Sequence, residues 1–372
     1  MKAFRTFMLI LFGTVLIGIV IWGYLQYQSV EERKKVLQAL NDKNYDFLLQ
    51  LYEDLTPSKS RVSEKYFQRC FYKALALQQK NNMEEARAFW NVLYTSSIQT
   101  MHRLYACYYL GVYFAEKGDF TQAFSYLESP ELTNPANDLF HVSQIKLSEL
   151  YYQQHQIEKA RAVLMTLLKA ETGPELVETI KKKLGEVNLA RIFSRQITSN
   201  SIDYIVCPGD SLATIAAKYN TTVDFLRMTN NLKTDVLRPN NHLKVITSIF
   251  SIMISKSKNT LTLLENEEFF KEYLVGTGKD NVTPIGEFEI TEKQINPTWY
   301  RPDSSPIPFG SKENVLGTRW MSINYPGYGI HGTWEDDSIG KQSSAGCIRL
   351  LNSDVEELFT IVPVHTKIKI VN

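Results

Sequence analysis

The sequence predicts an α+β chain of four parts: an N-terminal transmembrane helix (1–28), an α-helical repeat array (29–195), a small βααβ module (196–248) and a β-rich domain (249–372). Three observations carry this prediction. Residues 7–25 are almost unbroken apolar sequence; alanines recur at a 37-residue step through the middle; and from Ile249 the apolar spacing changes from helical to alternating. With 372 residues and 44% apolar content, two or three hydrophobic cores are affordable. The balance of 41 basic against 40 acidic side chains excludes an electrostatic footprint for nucleic acid.

Phe7 to Leu25 is interrupted only by Thr14 and three glycines. At helical rise this run reaches about 28 Å, close to the hydrocarbon thickness of a bilayer. Trp22, Tyr24 and Tyr27 follow as an interfacial belt, so the segment reads as an uncleaved anchor. Lys2 and Arg5 favour a cytoplasmic N-terminus, against Arg33, Lys34 and Lys35 on the other side.

In the repeat region, Ala86, Ala123 and Ala160 are each 37 residues apart. Small residues recur at Ala74, Gly111 and Ser148, and bulky ones at Leu77, Phe114 and Tyr151 and at Trp90, Leu127 and Leu164. Small residues where helices approach, with large ones on the intervening faces, make stacked helical hairpins. The array resembles about three tetratricopeptide repeats, with Pro135 where a repeat ends, although its step is longer than that family's usual 34 residues. The resemblance implies a spacer or a dock for a protein partner. Leu176, Ile180, Leu184 and Val187 form one stripe after Gly173-Pro174, expected to cap the array.

Residues 202–247 read as strand, two short helices and strand, with Asp210 expected to cap the first helix and Asn220 to end it. The Gly-Asp-Ser-Leu turn at 209–212, Ile215-Ala216, Asn230 or Asn231, and the Pro239 turn resemble a lysin motif (LysM). That resemblance implies N-acetylglucosamine-containing glycan in a groove between Gly209, Asp210, Ser211 and Leu212 on one side and Arg238 and Pro239 on the other. Turn chemistry alone would account for Gly209, Asp210 and Pro239.

The C-terminal part carries the chemistry. Strands are expected at 251–257, 260–266, 272–278, 286–293 and 367–371. Cys70, Cys107, Cys207 and Cys347 show no metal-ligand spacing, so neither a metal nor another cofactor is expected. A free thiol with a pKa of about 8.5 is mostly protonated at neutral pH, so a nucleophilic Cys347 needs an imidazole beside it. His331, 16 residues earlier, is the candidate, brought alongside by a strand with 335–343 as the return loop. Gly346 lets the backbone turn and is expected to present the amides of Gly346 and Cys347 to an oxyanion. Ser344 is placed to steady that turn; Arg349, two residues on from Cys347, faces the same side, to hold a substrate carboxylate or brace the loop. Tyr328, Gly332 and Trp334 flank His331 as substrate wall. Ser353 and Glu356 read as a capping box, His365 as a structural turn residue, and Cys347 as the thiol expected to alkylate fastest.

GTGKDNVTPIGEF (276–288), LGTRWMSIN, GYGIHGT and SAGCIRL, in this order, resemble the L,D-transpeptidase (YkuD-type) catalytic domain over 249–372. The resemblance implies a cysteine acyltransferase of peptidoglycan. Cys347 would form a thioester with a tetrapeptide stem and release D-Ala, and a side-chain amine of a second stem would accept the acyl group. It also implies an extracytoplasmic catalytic domain on a single-pass inner-membrane anchor. Ala345 stands where many members have a second histidine, which leaves His331 as the base. Two alternatives stay open: resolution by water, giving an L,D-carboxypeptidase, and a non-catalytic peptidoglycan-binding scaffold.

Overall fold

The computed structural model describes residues 30–60, 63–170, 173–300 and 305–372, in two compact units divided between Leu167 and Leu168. The span expected at 7–25 lies outside the described residues; among those described, no helix is long and apolar enough to cross a membrane.

The first unit is helical: α1 (Val30–Asn41), α2 (Tyr45–Leu51), α3 (Glu64–Gln79), α4 (Met83–Ser96), α5 (Thr100–Lys117), α6 (Phe120–Leu127), the single turn α7 (Pro130–Thr133), α8 (Phe140–Gln153) and α9 (Ile157–Lys169). Helices pair across short turns at Asn81, Gly118 and His155, each with positive φ (63°, 78° and 56°). The left-handed residue that ends a helix thus recurs at the same 37-residue step as the alanines. Ala74, Ala86, Ala123 and Ala160 are fully buried. A Cβ on Gly111 of α5 would come within 2.6 Å of Leu127 Cγ on α6, so only glycine permits that approach. Cys70 and Cys107 are buried here, and burial pushes the Cys107 thiol up to about 11.

The second unit begins with α10 (Pro174–Phe193), opened by Pro174 in its first turn. One face of α10, with Lys181, Gly185, Asn188 and Ile192, lies along the edge strand β5 of the sheet below, while Ile180, Leu184 and Val187 of the expected stripe are buried on another face. Next comes the βααβ module, β1 (Ser201–Ile205), α11 (Leu212–Lys218), α12 (Val223–Thr229) and β2 (His242–Ile246), with β1 and β2 antiparallel. Its small core is Val206, Leu212, Ile215, Leu226, Leu243 and Val245. The cap of α11 is Ser211, which forms a reciprocal box with Thr214, and not Asp210. The Asp210 carboxylate turns back instead, accepting Cys207 N–H (2.7 Å) and the Tyr204 hydroxyl (2.8 Å), bonds that hold it below its ordinary pKa.

The remaining strands are β3 (Phe250–Ser255), β4 (Thr260–Glu265), β5 (Glu268–Leu274), β6 (Thr277–Gly278), β7 (Gly286–Ile295), β8 (Arg319–Ile323), β9 (Gly329–His331), β10 (Gln342–Ser344), β11 (Ile348–Arg349) and β12 (Lys367–Val371), with α13 (Asn352–Ile361) before the last. Eight form one mixed sheet in the order β11-β9-β8-β7-β12-β3-β4-β5, and β6 pairs with β10 apart from it. Alternation does what the sequence implied: Phe250, Ile252, Ile254, Ile368 and Ile370 point inward. The helix α13 contributes Val355 and Leu358 to this core, α10 contributes Ile192, and the βααβ module contributes Phe225 and Ile246. Each such side chain stabilises by about 1.5–3 kcal/mol on burial. The α10 contact also includes Asn188 Nδ2 donating to Phe270 O (2.9 Å) and a buried Arg191–Glu265 ion pair. Burial would raise the Glu265 carboxyl, but Arg191 outweighs it and holds it low.

Candidate active site

The nucleophile segment lies between β10 and β11. β11 runs parallel to β9, with Ile348 opposite Ile330 and Arg349 opposite His331. Cys347 therefore stands one step before this ladder, two residues from the His331–Arg349 pair and on their face of the sheet. The expected pairing of Cys347 with the strand of His331 is built by this register.

His331 is 3% exposed, and its Nδ1 lies 2.6 Å from Gly332 O. A carbonyl only accepts, so Nδ1 carries the proton and Nε2 keeps its lone pair. Burial, helped by the nearby Arg349 charge, pushes the imidazole down to about 4. It is neutral at pH 7. The Trp320 indole stacks on the ring at 5.6 Å between centroids, and its own N–H is held by Ser322 Oγ at 2.7 Å.

Cys347 is half-buried. Among the described residues its thiol donates to Gly327 O at 3.6 Å, not to the imidazole. Burial pushes the thiol up, against opposing pulls from the Gly329 backbone and Arg349. The resting pair is thus thiol and neutral imidazole. Burial of Cys347 and exposure of Cys207 both weigh against Cys347 being the thiol that alkylates fastest at rest.

The turn at Gly346 has φ 132°, and a Cβ there would come 2.5 Å from Tyr328 Cε1. The Tyr328 ring thus lies directly against the nucleophile turn. Ser344 binds the turn from inside: its hydroxyl accepts Gly346 N–H (3.0 Å) and donates to Cys347 O (2.6 Å). This corrects one expectation. The Gly346 amide is committed to Ser344, which leaves the Cys347 amide for an oxyanion.

Arg349 donates to Glu335 Oε2 at 2.9 Å, and its backbone exchanges two 2.8 Å hydrogen bonds with Gly276. Of its two expected roles, the loop brace is the one these bonds make. Gly332 abuts the Asn352 amide, which also holds Thr318 N–H (3.0 Å) and Thr333 O (2.8 Å). The capping box at Ser353 and Glu356 is not formed, since α13 starts two residues earlier than such a cap would set, with Leu351 as its cap residue and no side-chain cap. Trp334 is 56% exposed beside Phe309, their centroids 6.3 Å apart, at the rim of the site rather than packed against His331. His365 sits in a left-handed turn near Glu289, as a structural residue would.

In the βααβ module, Gly209–Leu212 and Arg238–Pro239 come to one end of the β1–β2 pair, joined by Val206 N–H to Asn241 O (2.9 Å) and Asn240 N–H to Val206 O (2.8 Å). Gly209 has φ 91°, Asp210 closes the turn, Ser211 caps α11 and Leu212 is buried, so each of the four has a structural task.

Sequence reasoning missed Thr283 and Trp320 as parts of the site. Nothing in the sequence around Thr283 or Trp320 marks either as part of the site; only the place of Trp320 opposite His331 in the β8–β9 ladder singles it out.

Comparison with known proteins bears on both modules. Residues 250–370 match the L,D-transpeptidase catalytic domain (YkuD) and residues 204–245 the LysM domain. A putative L,D-transpeptidase YqjB of Bacillus subtilis is 41% identical over 32% of this chain and 69% of its own length. The putative L,D-transpeptidases YkuD of Bacillus licheniformis and Bacillus subtilis are 36% and 35% identical over 45% of this chain and 97% and 98% of theirs. Among solved structures, an L,D-transpeptidase from Mycobacterium smegmatis is 16% identical, with TM-score 0.29, over 36% of this chain and 64% of that one.

Proposed function

The chain belongs to the L,D-transpeptidase family and is a peptidoglycan L,D-transpeptidase, and on that premise we propose that Cys347 is its nucleophile and His331 its base. One observation supports the assignment above the others. On the strand beside Cys347 stands a buried neutral imidazole whose Nδ1–H is taken by Gly332 O, leaving Nε2 to accept a proton.

The donor is a tetrapeptide stem, cleaved after its diamino acid. As the sulfur attacks the carbonyl carbon, its proton passes to His331 Nε2, and the oxygen takes up charge toward the Cys347 amide. The C–N bond then breaks, and the imidazolium returns the proton to the departing D-Ala amine. Burial disfavours that imidazolium, so it is short-lived. A side-chain amine of a second stem attacks the thioester, loses its proton through His331, and expels the sulfur. Tyr328 and Trp334 flank the donor side, Gly332 orients His331 through its carbonyl, and Ser344, Gly346 and Arg349 hold the nucleophile turn. Neither metal nor cofactor enters these steps.

The LysM domain and the catalytic domain are the peptidoglycan-binding parts. Within the LysM domain, glycan lies between Gly209–Leu212 and Arg238–Pro239. Residues 7–25 anchor the chain in the inner membrane with the enzyme on its extracytoplasmic side, and the helical unit is a tetratricopeptide-like dock for a protein partner.

Incubating the full chain with tetrapeptide muropeptides, followed by mass spectrometry, tests the reaction. Crosslinked dimers that vanish in Cys347→Ala are expected; tripeptides alone would make it a carboxypeptidase, and no product a scaffold. The full chain is used because a piece starting at residue 196 would lack α10, which supplies Ile192 to the sheet's core. Membrane fractionation of the chain with and without residues 1–28 tests the anchor.

A further inference from the structure

The nucleophile turn is held by residues remote in sequence. Thr283 is 1% exposed, and its hydroxyl donates to Gly346 O at 2.8 Å while accepting Gly278 N–H at 2.8 Å. The carbonyl it holds belongs to the peptide bond between Gly346 and Cys347, so this hydrogen bond fixes the plane that presents both the sulfur and the Cys347 amide. The loop is tight around it: a Cβ on Gly278 would meet Gly346 Cα and Thr283 N, each at 2.9 Å.

Thr283 is itself fixed from behind. Lys256, in the turn after β3, is 2% exposed, and its ammonium donates to Thr283 O (2.6 Å) and Asn281 O (2.9 Å). A charge taken out of water costs several kcal/mol unless it is well hydrogen-bonded, so an ammonium spent on two loop carbonyls points to a loop whose position matters. The same turn also supplies Asn259, which donates to Gly340 O (3.1 Å) and accepts from the Thr277 hydroxyl (2.8 Å), tying down the other end of the nucleophile segment.

We propose that Thr283 and Lys256 are positioning residues for the reaction: a relay from the β3–β4 turn through the 278–283 loop to Gly346 O sets the attack geometry of Cys347. This rests on Cys347 being the nucleophile. Misplacing a reacting atom by about 1 Å costs about 100-fold in rate. Thr283→Val keeps shape and burial but removes the hydroxyl, and is expected to lower kcat about 100-fold with KM changed less than about 3-fold. Thr283→Ser, which restores the hydroxyl, is expected to recover kcat to within about 5-fold of wild type, whatever its effect on Tm. Lys256→Met is expected to lower kcat about 10-fold, again with KM retained.

The assay uses the full chain with tetrapeptide muropeptides, with Cys347→Ala beside the others. If Cys347→Ala stays active, the nucleophile assignment has failed and the relay with it. If Cys347→Ala is dead while Thr283→Val keeps wild-type kcat, the relay alone is overturned. Equal kcat losses in Thr283→Val and Thr283→Ser would likewise overturn it, since packing rather than the hydroxyl would then be at work.

Discussion

Two glycine turns of the second unit do similar things by different means. At Gly209 (φ 91°) everything that closes the turn lies within a few residues: Asp210 reaches back to Cys207 and Tyr204, and Ser211 and Thr214 cap each other. At Gly346 (φ 132°) the inner brace, Ser344, is local, but Thr283 comes from 63 residues away and Arg349 pairs with the still more remote Gly276. A turn that only has to begin a helix can be self-contained. A turn that must hold a reacting sulfur to a fraction of an ångström is over-determined from outside, as backbone strain at a working site requires.

The largest effect that would sharpen the contrast is at His331, which has no counterpart in the Gly209 turn. His331→Ala is expected to lower kcat about 10²–10⁴-fold. For the wild-type chain the sign is fixed by the depressed imidazole: only below about 4 is the base protonated, so kcat/KM should fall on the acid side near pH 4. An acid limb at the ordinary histidine value, about 6.5, would contradict the burial argument.

Ser344→Ala comes next. It strands the Gly346 N–H without its acceptor, expected to cost about 1–3 kcal/mol, read in both thermal unfolding and kcat. If unfolding shifts while kcat holds, this turn is no more functional than the one at Gly209. Third, iodoacetamide should label exposed Cys207 before Cys347 at pH 7, and the Cys347 rate should keep climbing above pH 9 because burial raises that thiol. Faster labelling of Cys347 would reveal a resting thiolate. The smallest effect belongs to the local turn: Ser211→Ala removes one helix cap, about 1 kcal/mol by chemical denaturation.

Local periodicity, together with the resemblance of a few short motifs to a known family, determined much of this protein. The 37-residue step of small residues placed the helical hairpins; the alternation in 250–255 and 367–371 placed the central strands; and the order of Gly-Thr-Gly, His-Gly-Thr and Gly-Cys placed the catalytic domain, with Cys347 and His331 on neighbouring strands. These were legible because each rests on a spacing or a short motif read along the chain. Only the tertiary structure decided that α10 packs on β5, that the Gly346 amide is spent on Ser344, that Trp320 faces His331, and that Lys256 and Thr283 stand behind the nucleophile. Each is a hydrogen bond or packing contact set by sheet order, and a sheet in which β12 lies between β7 and β3 joins residues whose distance along the chain carries no trace of their meeting.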